Sequence, residues 1–229
     1  MLEELKKEVY EANLALVRHD LVILTWGNAS AIDRKAGLMV IKPSGVDYDS
    51  MTPSDMVVVA LDGTVVEGRL RPSSDTPTHL ALYRVFPEIG GVVHTHSKWA
   101  VAWAQAGRNI PCYGTTHADC FYGQIPCIRG LKQEEVESGY EWNTGMAIAE
   151  FFSDKDPLAV PGALCRNHGP FAWGANVSAA VHNAVVLEAV AEMAAYSTTL
   201  DSRIESVPDF ILDKHYYRKH GVNAYYGQG

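Results

Sequence analysis

The stretch Gly90-Gly91-Val92-Val93-His94-Thr95-His96 decides how this chain is interpreted. A short apolar run after two glycines is typical of a buried strand. Because residues two apart on a strand project to the same face, His94 and His96 can present two imidazoles to one divalent cation. The pair alone is compatible with two structures, a pair of surface histidines or a pair of metal ligands.

A third histidine and a carboxylate favour the metal site. His168 lies in Asn167-His168-Gly169-Pro170, before a Gly-Pro turn, and Asp75 lies in Ser73-Ser74-Asp75-Thr76-Pro77. Three neutral imidazoles and one carboxylate form a set of N and O ligands that leaves a bound cation able to polarise substrate oxygens. Asp75 has a second interpretation as an ordinary helix N-cap, because a threonine and an early proline follow it.

Length and composition indicate one soluble domain. The chain has 229 residues, 47% of them hydrophobic, so residues 1–229 can bury a substantial core and are expected to form a single domain. No apolar run approaches the roughly 20 residues that a membrane helix needs. Residues 1–7 are highly charged, like a helix start rather than a signal peptide. The expected location is the cytoplasm, with no membrane partner.

Charge and cysteine usage exclude further classes of function. The formal net charge is -8, whereas nucleic acids attract a positive surface, so no nucleic-acid partner is expected. The four cysteines lack CxxC spacing, which predicts reduced thiols and no structural zinc–thiolate site. A small anionic substrate remains compatible with a local binding site.

Hydrophobic periodicity predicts strands that alternate with helices, an order typical of an α/β or α+β layered fold. The longest helical pattern, 178–200, is apolar almost all round and should be deeply buried. The predicted strands are 38–41, 56–60 and 92–93, and the predicted helices are 1–19, one that begins after Asp75 and runs through Phe86, 178–200 and 210–220.

Three loops rich in small polar residues are candidates for binding phosphate. They are Trp26-Gly27-Asn28-Ala29-Ser30, Lys42-Pro43-Ser44-Gly45 and Arg71-Pro72-Ser73-Ser74. Their hydroxyls and backbone N–H groups can bind phosphate oxygens without a large basic patch. Each loop alone is equally an ordinary turn, and only their joint occurrence around one metal site favours a phosphate pocket.

Two further segments carry candidate acid/base groups. Asp119, in Thr115-Thr116-His117-Ala118-Asp119, is either a general acid/base or a carboxylate that caps a turn. Tyr225 and Tyr226 lie in a polar tail, residues 223–229, that a monomer would leave loose. They either pack on the body of their own chain or supply a phenol to the active site of a neighbouring subunit.

Together these motifs resemble the class II aldolase/epimerase family almost from end to end. Several runs of five or more residues recur in the same order, which chance does not produce. The matching motifs are Glu11-Ala12-Asn13-Leu14, Thr25-Trp26-Gly27-Asn28, Ile41-Lys42-Pro43-Ser44-Gly45-Val46, Arg71-Pro72-Ser73-Ser74-Asp75-Thr76, Val93-His94-Thr95-His96-Ser97, Gly114-Thr115-Thr116-His117-Ala118-Asp119, His168-Gly169-Pro170-Phe171-Ala172-Trp173-Gly174 and Tyr225-Tyr226-Gly227-Gln228.

The resemblance implies a class II aldolase-like α/β fold, with a central, mostly antiparallel sheet flanked by helices, and a homotetramer with active sites between subunits. It implies zinc, with manganese and cobalt as alternatives, held by Asp75, His94, His96 and His168. It places a substrate phosphate among Gly27, Asn28, Ser44, Gly45, Ser73 and Ser74. Asp119 and, from the adjacent subunit, Tyr226 match the two acid/base groups, and His215 matches a supporting active-site histidine.

The implied activity is a metal-dependent interconversion of L-ribulose 5-phosphate and D-xylulose 5-phosphate by retro-aldol cleavage of C3–C4, rotation of the aldehyde and re-addition. The alternative is a class II sugar-phosphate aldolase that splits L-fuculose 1-phosphate. Aldolases of the family carry a glutamate as base where this chain has the shorter Asp75. A non-catalytic scaffold of the adducin type would have lost the metal ligands, and a generic zinc hydrolase needs no phosphate loops.

Overall fold

Helices and strands alternate along the part of the chain that the structure, a computed structural model, describes: residues 2–222 and 224–226. The helices are α1 (Glu3–Arg18), α2 (Thr76–Val85), α3 (Lys98–Ala106), α4 (Thr115–Ala118), α5 (Gln133–Phe151), α6 (Val177–Leu200) and α7 (Asp209–Tyr217). The strands are β1 (Gly27–Asp33), β2 (Leu38–Ile41), β3 (Val57–Ala60), β4 (Val65–Glu67), β5 (Gly91–Thr95), β6 (Cys127–Ile128), β7 (Gly162–Cys165) and β8 (Pro170–Gly174).

All eight of these strands form one sheet, in the order β4-β3-β2-β1-β5-β8-β7-β6. Every neighbouring pair runs antiparallel except β6 and β7, so the predicted mostly antiparallel sheet is confirmed. Strand β5, which carries His94, lies between β1 and β8. The register sets Asn28 opposite His94, and His94 opposite Phe171.

Both faces of the sheet are covered by helices, because alternate residues of each strand point to opposite sides. In β2, Met39 and Ile41 pack with α2 and α5, whereas Val40 packs with α1 and α6. In β5, Val92 and Val93 divide in the same way. The arrangement is therefore a sheet between two helical layers, as the resemblance implied.

The two glycines before the histidine strand let α6 approach the sheet closely. A Cβ atom on Gly91 would lie 2.4 Å from the Cα of Val177, the first residue of α6, and one on Gly90 would lie 2.2 Å from the carbonyl oxygen of Ala175. Neither distance is sterically possible. The start of α6 therefore packs directly against the backbone of β5.

Helix α6 differs from the sequence-based expectation in two respects. Only one side of it is buried, and Met193, Tyr196 and Leu200 are 50%, 55% and 88% exposed. By length and composition it is also apolar enough to cross a membrane, although no such segment was expected. Its buried side packs against β5, β8 and α3, so we interpret it as a core helix.

The last helix is shorter than predicted. It ends at Tyr217, and the carbonyl oxygen of Arg218 accepts hydrogen bonds from the backbone N–H groups of Tyr225 (2.9 Å) and Tyr226 (3.0 Å). The chain reverses at Gly221, whose φ of 90° suits glycine. The tail therefore folds back on its own chain as far as it is described; Asn223 and residues 227–229 of the predicted tail lie outside the described residues.

Candidate active site

Three histidines converge at the end of strand β5. His94 is in the strand, His96 follows its last residue, and His168 lies in the turn that connects β7 to β8. That turn is tight, because Asn167 has a φ of 64° and the His168 N–H donates to the Cys165 carbonyl oxygen at 3.0 Å. One ring nitrogen from each histidine lies within 4.8 Å of the others. The grouping predicted from the sequence is therefore present.

Hydrogen bonding and burial prepare these imidazoles to bind a cation. The Nδ1 of His94 donates to the Pro170 carbonyl oxygen at 2.9 Å, which leaves the buried Nε2 as a lone-pair donor without a hydrogen-bond partner. Burial, and then repulsion from His94 and His96, lowers the pKa of His168 to about 3. Burial likewise lowers the pKa of His96. Neutral imidazoles that converge in this way fit a divalent metal ion.

Asp75 occupies the N-cap position of α2, as its second interpretation predicted, but its side chain makes no capping hydrogen bond. Its Oδ2 instead accepts a hydrogen bond from Asn28 Nδ2 at 2.7 Å. Burial opposes ionisation of Asp75, yet attraction to His94 and the other nearby histidines, with the Asn28 bond, keeps its pKa below the ordinary value. Asp75 shares the cavity with the histidines but is not in the closely converging group of three. Its role as a fourth ligand stays a prediction.

A cavity of about 600 Å³ contains the histidines, Asp75 and all three predicted phosphate loops. Pairing between β1 and β5 brings the first loop beside His94, and a bridge between Pro43 and Pro72 joins the other two loops. The Asn28 amide also donates to Ser73 Oγ at 3.0 Å. The predicted substrate-binding residues that line this cavity are Gly27, Asn28, Ser44, Gly45, Ser73 and Ser74.

Sequence reasoning assigned no individual role to several side chains of the same cavity. The most notable is Lys42, whose Nζ donates to the carbonyl oxygens of Pro43 (3.2 Å) and Val46 (2.8 Å) and lies 4.7 Å from the centre of the Tyr48 ring. Burial lowers the pKa of Lys42 to about 8. A lysine directly after an apolar strand was the available signal. The other lining residues without an assigned role are Thr25, Trp26 and Pro43, which lie in the named motifs, and Tyr140 and Glu141, which lie outside them.

The predicted acid/base groups form a second cluster. Arg218 donates to Asp119 through Nε (2.9 Å) and Nη2 (2.6 Å), His215 Nδ1 donates at 3.0 Å, and Lys219 Nζ lies 3.3 Å away. Burial opposes ionisation of Asp119, but these partners, Arg218 first, hold its pKa below the ordinary range. Asp119 is thus a carboxylate with three cationic or polar partners from the last helix and the turn after it.

Tyr226 belongs to the same cluster. The Arg218 guanidinium carbon lies 4.9 Å, and Lys219 Nζ 4.6 Å, from the centre of its ring. The sequence-based expectation put Asp119 and Tyr226 on different subunits, whereas both here contact one Arg218 in one chain. Neither residue, nor His215, lines the cavity with the three histidines. The described chain therefore presents two separate groups of predicted site residues.

Comparisons with known proteins agree with this architecture. The family described as Class II Aldolase and Adducin N-terminal domain matches residues 7–195. An L-ribulose-5-phosphate 4-epimerase, UlaF, from Salmonella paratyphi B is 57% identical over 227 residues, 99% of this chain and 100% of that protein. A solved L-fuculose 1-phosphate aldolase has a TM-score of 0.80 at 26% identity, with 94% of this chain and 95% of that chain covered.

A second solved structure, an L-fuculose-1-phosphate aldolase from Thermus thermophilus, has a TM-score of 0.69 at 22% identity, with 89% of this chain and 98% of that chain covered. At this identity the likeness concerns the fold alone. The fold implied by the motifs is confirmed.

Proposed function

The chain belongs to the family of class II aldolases and adducin N-terminal domains, and we propose that it is a metal-dependent epimerase that interconverts L-ribulose 5-phosphate and D-xylulose 5-phosphate. The observation that carries the proposal is the convergence of three imidazoles in one cavity with three loops suited to phosphate. The 57% identical relative that bears this activity in its name supports the same choice of substrate. Because phosphorylated sugars are charged and do not cross membranes freely, the proposed location is the cytoplasm.

The chemistry of the reaction requires a stabilised carbanion. The C4 proton of a ketopentose phosphate is not adjacent to the C2 carbonyl, so its removal would give an unconjugated carbanion. Cleavage of C3–C4 is easier: a base takes the proton of the C4 hydroxyl, the bond breaks, and its electron pair passes through C3 to the C2 oxygen. The products are the enediolate of dihydroxyacetone and glycolaldehyde phosphate.

Inversion follows when the aldehyde turns within the site. C3 then attacks the other face of glycolaldehyde phosphate, the C3–C4 bond forms again, and the new C4 alkoxide takes a proton from a second acid/base group. Since the alkoxide faces a different side in each direction, the site needs two such groups. We assign these roles to Asp119 and Tyr226, with His215 as a support for Asp119.

The metal fits the residues that face the cavity. His94, His96 and His168 would hold it, with Asp75 as the carboxylate ligand and Asn28 orienting that carboxylate. Zinc is the proposed ion, and manganese or cobalt suit a similar ligand set. When bound, the ion would stabilise, as a Lewis acid, the negative charge that develops on the substrate oxygens.

The substrate phosphate would lie against the three loops that line the cavity. The backbone N–H of Gly45 and the hydroxyls of Ser44, Ser73 and Ser74 supply hydrogen-bond donors there. Gly27 and Asn28 form the adjoining wall, because their N–H groups already donate to Thr25, Ser73 and Asp75. The Lys42 ammonium adds a positive charge beside the Ser44 loop. This arrangement explains how an acidic protein can bind an anion locally.

A complete site requires a second subunit in this proposal. The metal cavity of one chain lacks the Asp119 cluster, which lies on another part of its surface with Tyr226 61% exposed. A homotetramer in which each Asp119 cluster faces the metal cavity of a neighbour would complete every site. Sites between subunits are therefore proposed together with the tetramer.

The second candidate is an aldolase that splits L-fuculose 1-phosphate. The TM-score of 0.80 with a solved L-fuculose 1-phosphate aldolase supports it. Asp75 argues against it. Held by Asn28 and shorter by one methylene than the glutamate base of family aldolases, Asp75 is poorly placed to deprotonate carbon.

The test is incubation of metal-loaded and chelator-stripped protein with L-ribulose 5-phosphate, with D-xylulose 5-phosphate and free glycolaldehyde phosphate measured separately. We expect metal-dependent xylulose phosphate with little free aldehyde. Absence of turnover by the metal-loaded protein would overturn the proposal, and L-fuculose 1-phosphate would be the next substrate to test.

A further inference from the structure

Trp26 occupies an unusual position at the mouth of the metal cavity. Its side chain lines the cavity, and the centre of its ring lies 6.4 Å from that of the His96 ring, at an interplanar angle of 54°. It is nevertheless 52% exposed and belongs to none of the three hydrophobic core clusters of the described residues. A core-packing role therefore does not account for this indole.

The backbone holds Trp26 in place without help from the core. The Trp26 N–H donates to the Ile23 carbonyl oxygen at 3.0 Å, and the Gly27 N–H donates to that of Thr25 at 3.1 Å. Gly27 has no room for a side chain, because a Cβ atom there would lie 2.6 Å from Val22 Cγ1. Trp26 is thus fixed by a tight turn directly before the phosphate loop.

The proposed reaction creates a specific need at this place. Once C3–C4 is broken, glycolaldehyde phosphate must stay in the site and turn before the bond forms again. Loss of the aldehyde to water would convert an epimerase into an aldolase. The loops around the phosphate offer no barrier, since Ser44, Gly45 and Ser74 are themselves exposed.

A flat apolar wall meets this need better than a polar one. Hydrogen bonds would fix the aldehyde in one orientation, whereas an aromatic face excludes water and lets the small fragment turn against it. Two large aromatic side chains line the cavity, Trp26 and Tyr140, and Trp26 is the more exposed of them and lies beside His96.

We propose that Trp26 forms the wall that retains glycolaldehyde phosphate between bond cleavage and bond formation, and so decides whether the site epimerises or releases its aldehyde. This inference rests on the proposed function. It assigns Trp26 to contact with the reacting fragment and predicts that its loss changes the ratio of products rather than the rate alone.

The experiment compares Trp26→Ala and Trp26→Phe with the natural protein and with Ile23→Ala. Ile23 is a 44% exposed apolar residue of the same turn that does not line the cavity. Each metal-loaded protein receives L-ribulose 5-phosphate, and the ratio of free glycolaldehyde phosphate to D-xylulose 5-phosphate is measured. We expect the ratio to rise about tenfold for Trp26→Ala, which is a small change in relative barriers, less for Trp26→Phe, and not at all for Ile23→Ala.

A binding measurement supplies a readout that does not depend on turnover. Glycolaldehyde phosphate should protect Trp26 from acrylamide quenching, seen as the difference in fluorescence between the natural protein and Trp26→Phe. An unchanged product ratio in a Trp26→Ala protein that still turns over would overturn the inference. So would complete protection of Trp26 without ligand together with smaller assemblies of Trp26→Ala, which would assign the indole to a subunit contact. Lack of turnover by the natural protein would instead count against the proposed function.

Discussion

Arg218 donates hydrogen bonds to both carboxylate oxygens of Asp119, at 2.9 Å and 2.6 Å. The same guanidinium lies over the ring of Tyr226, 4.9 Å from its centre. One arginine thus ties together two groups that were expected on different subunits. If Asp119 and Tyr226 are the two acid/base groups, one chain holds both of them, and either its own histidine cavity or that of a neighbouring subunit completes the site.

Hybrid assemblies answer this question. If the Asp119 cluster serves a neighbour's metal cavity, mixing Asp119→Asn chains with His96→Asn chains should restore activity, because some sites combine the intact half of each. Mixing Asp119→Asn with Tyr226→Phe should restore none, since every site then draws its pair from one defective chain. The measurement is the epimerase activity of hybrids after co-refolding and verification of mixed composition.

The two remaining outcomes each indicate a different architecture. Recovery in the Asp119→Asn and Tyr226→Phe hybrid would separate the acid/base pair between subunits, as first expected. No recovery in either hybrid would place all three residues in a site within one chain, and the proposed tetramer would then have no catalytic role.

Asn28 should control metal affinity through Asp75. Its amide donates to Asp75 Oδ2 at 2.7 Å, and removal of such an outer partner typically weakens metal binding by about 10–100-fold. We expect Asn28→Ala to lose zinc to a competing chelator in that proportion. Asn143→Ala is the control, because Asn143 bonds Ser138 and the Glu135 carbonyl away from the cavity. Equal zinc affinity in both variants would show that the Asn28 bond does not support metal binding.

Lys42 should give the reaction an alkaline limit. Burial lowers its pKa to about 8, so the free protein loses this positive charge as the pH rises through that value. If the ammonium binds the substrate phosphate, kcat/KM should fall above about pH 8, while kcat changes less because bound phosphate retains the proton. In Lys42→Met, kcat/KM should be lower at neutral pH and should not fall further as the pH rises above about 8.

The same ionisation should affect stability with the opposite sign. A folded-state pKa below the unfolded one means that the unfolded chain binds more protons between about pH 8 and the ordinary lysine pKa. The contribution of Lys42 to the free energy of unfolding should therefore become more favourable as the pH rises through this window. Urea titrations at both ends of this window give the free energy of unfolding of the natural protein and of Lys42→Met. The same change of that free energy with pH in both proteins would contradict the assigned pKa.

Tyr48 should orient the first phosphate loop. Its hydroxyl donates to the buried Gly27 carbonyl oxygen at 2.8 Å, and burial raises its pKa, so it stays a donor at neutral pH. Tyr48→Phe removes this partner from a buried carbonyl, at a cost of about 1–3 kcal/mol in the free energy of unfolding. We expect a several-fold increase in KM with a smaller change in kcat. A variant with lower stability and an unchanged KM would limit Tyr48 to a structural role.

Local pattern was enough to predict half of the candidate site. Strand periodicity placed His94 and His96 on one face, and the Gly-Pro turn after His168 marked a place where the chain returns to the sheet. Sequence could not decide whether Asp75 caps α2, because capping and ligand aspartates share the same flanking residues. In the structure Asp75 is at the N-cap position, but its side chain accepts a hydrogen bond from Asn28, 47 positions earlier in the chain.

The other half depended on contacts that no local pattern encodes. His215 and Arg218 reach Asp119 across 96 and 99 positions of sequence, and α7 has no buried residue that would mark its packed face. Helix α6 was misjudged for a related reason. An apolar pattern predicts burial, but it does not say whether the same chain or another surface covers each side.

The long-range origin of the histidine cluster links the metal to folding. His94 is joined to the turn after His168 by its bond to Pro170, 76 positions away, and by the pairing of β5 with β8. Before that pairing forms, the three imidazoles belong to unconnected parts of the chain and offer a cation no common site. An ion bound there would favour the folded chain by mass action. The melting temperature would then follow the concentration of free metal, and nutritional scarcity of that metal would reduce the amount of folded protein as well as its activity.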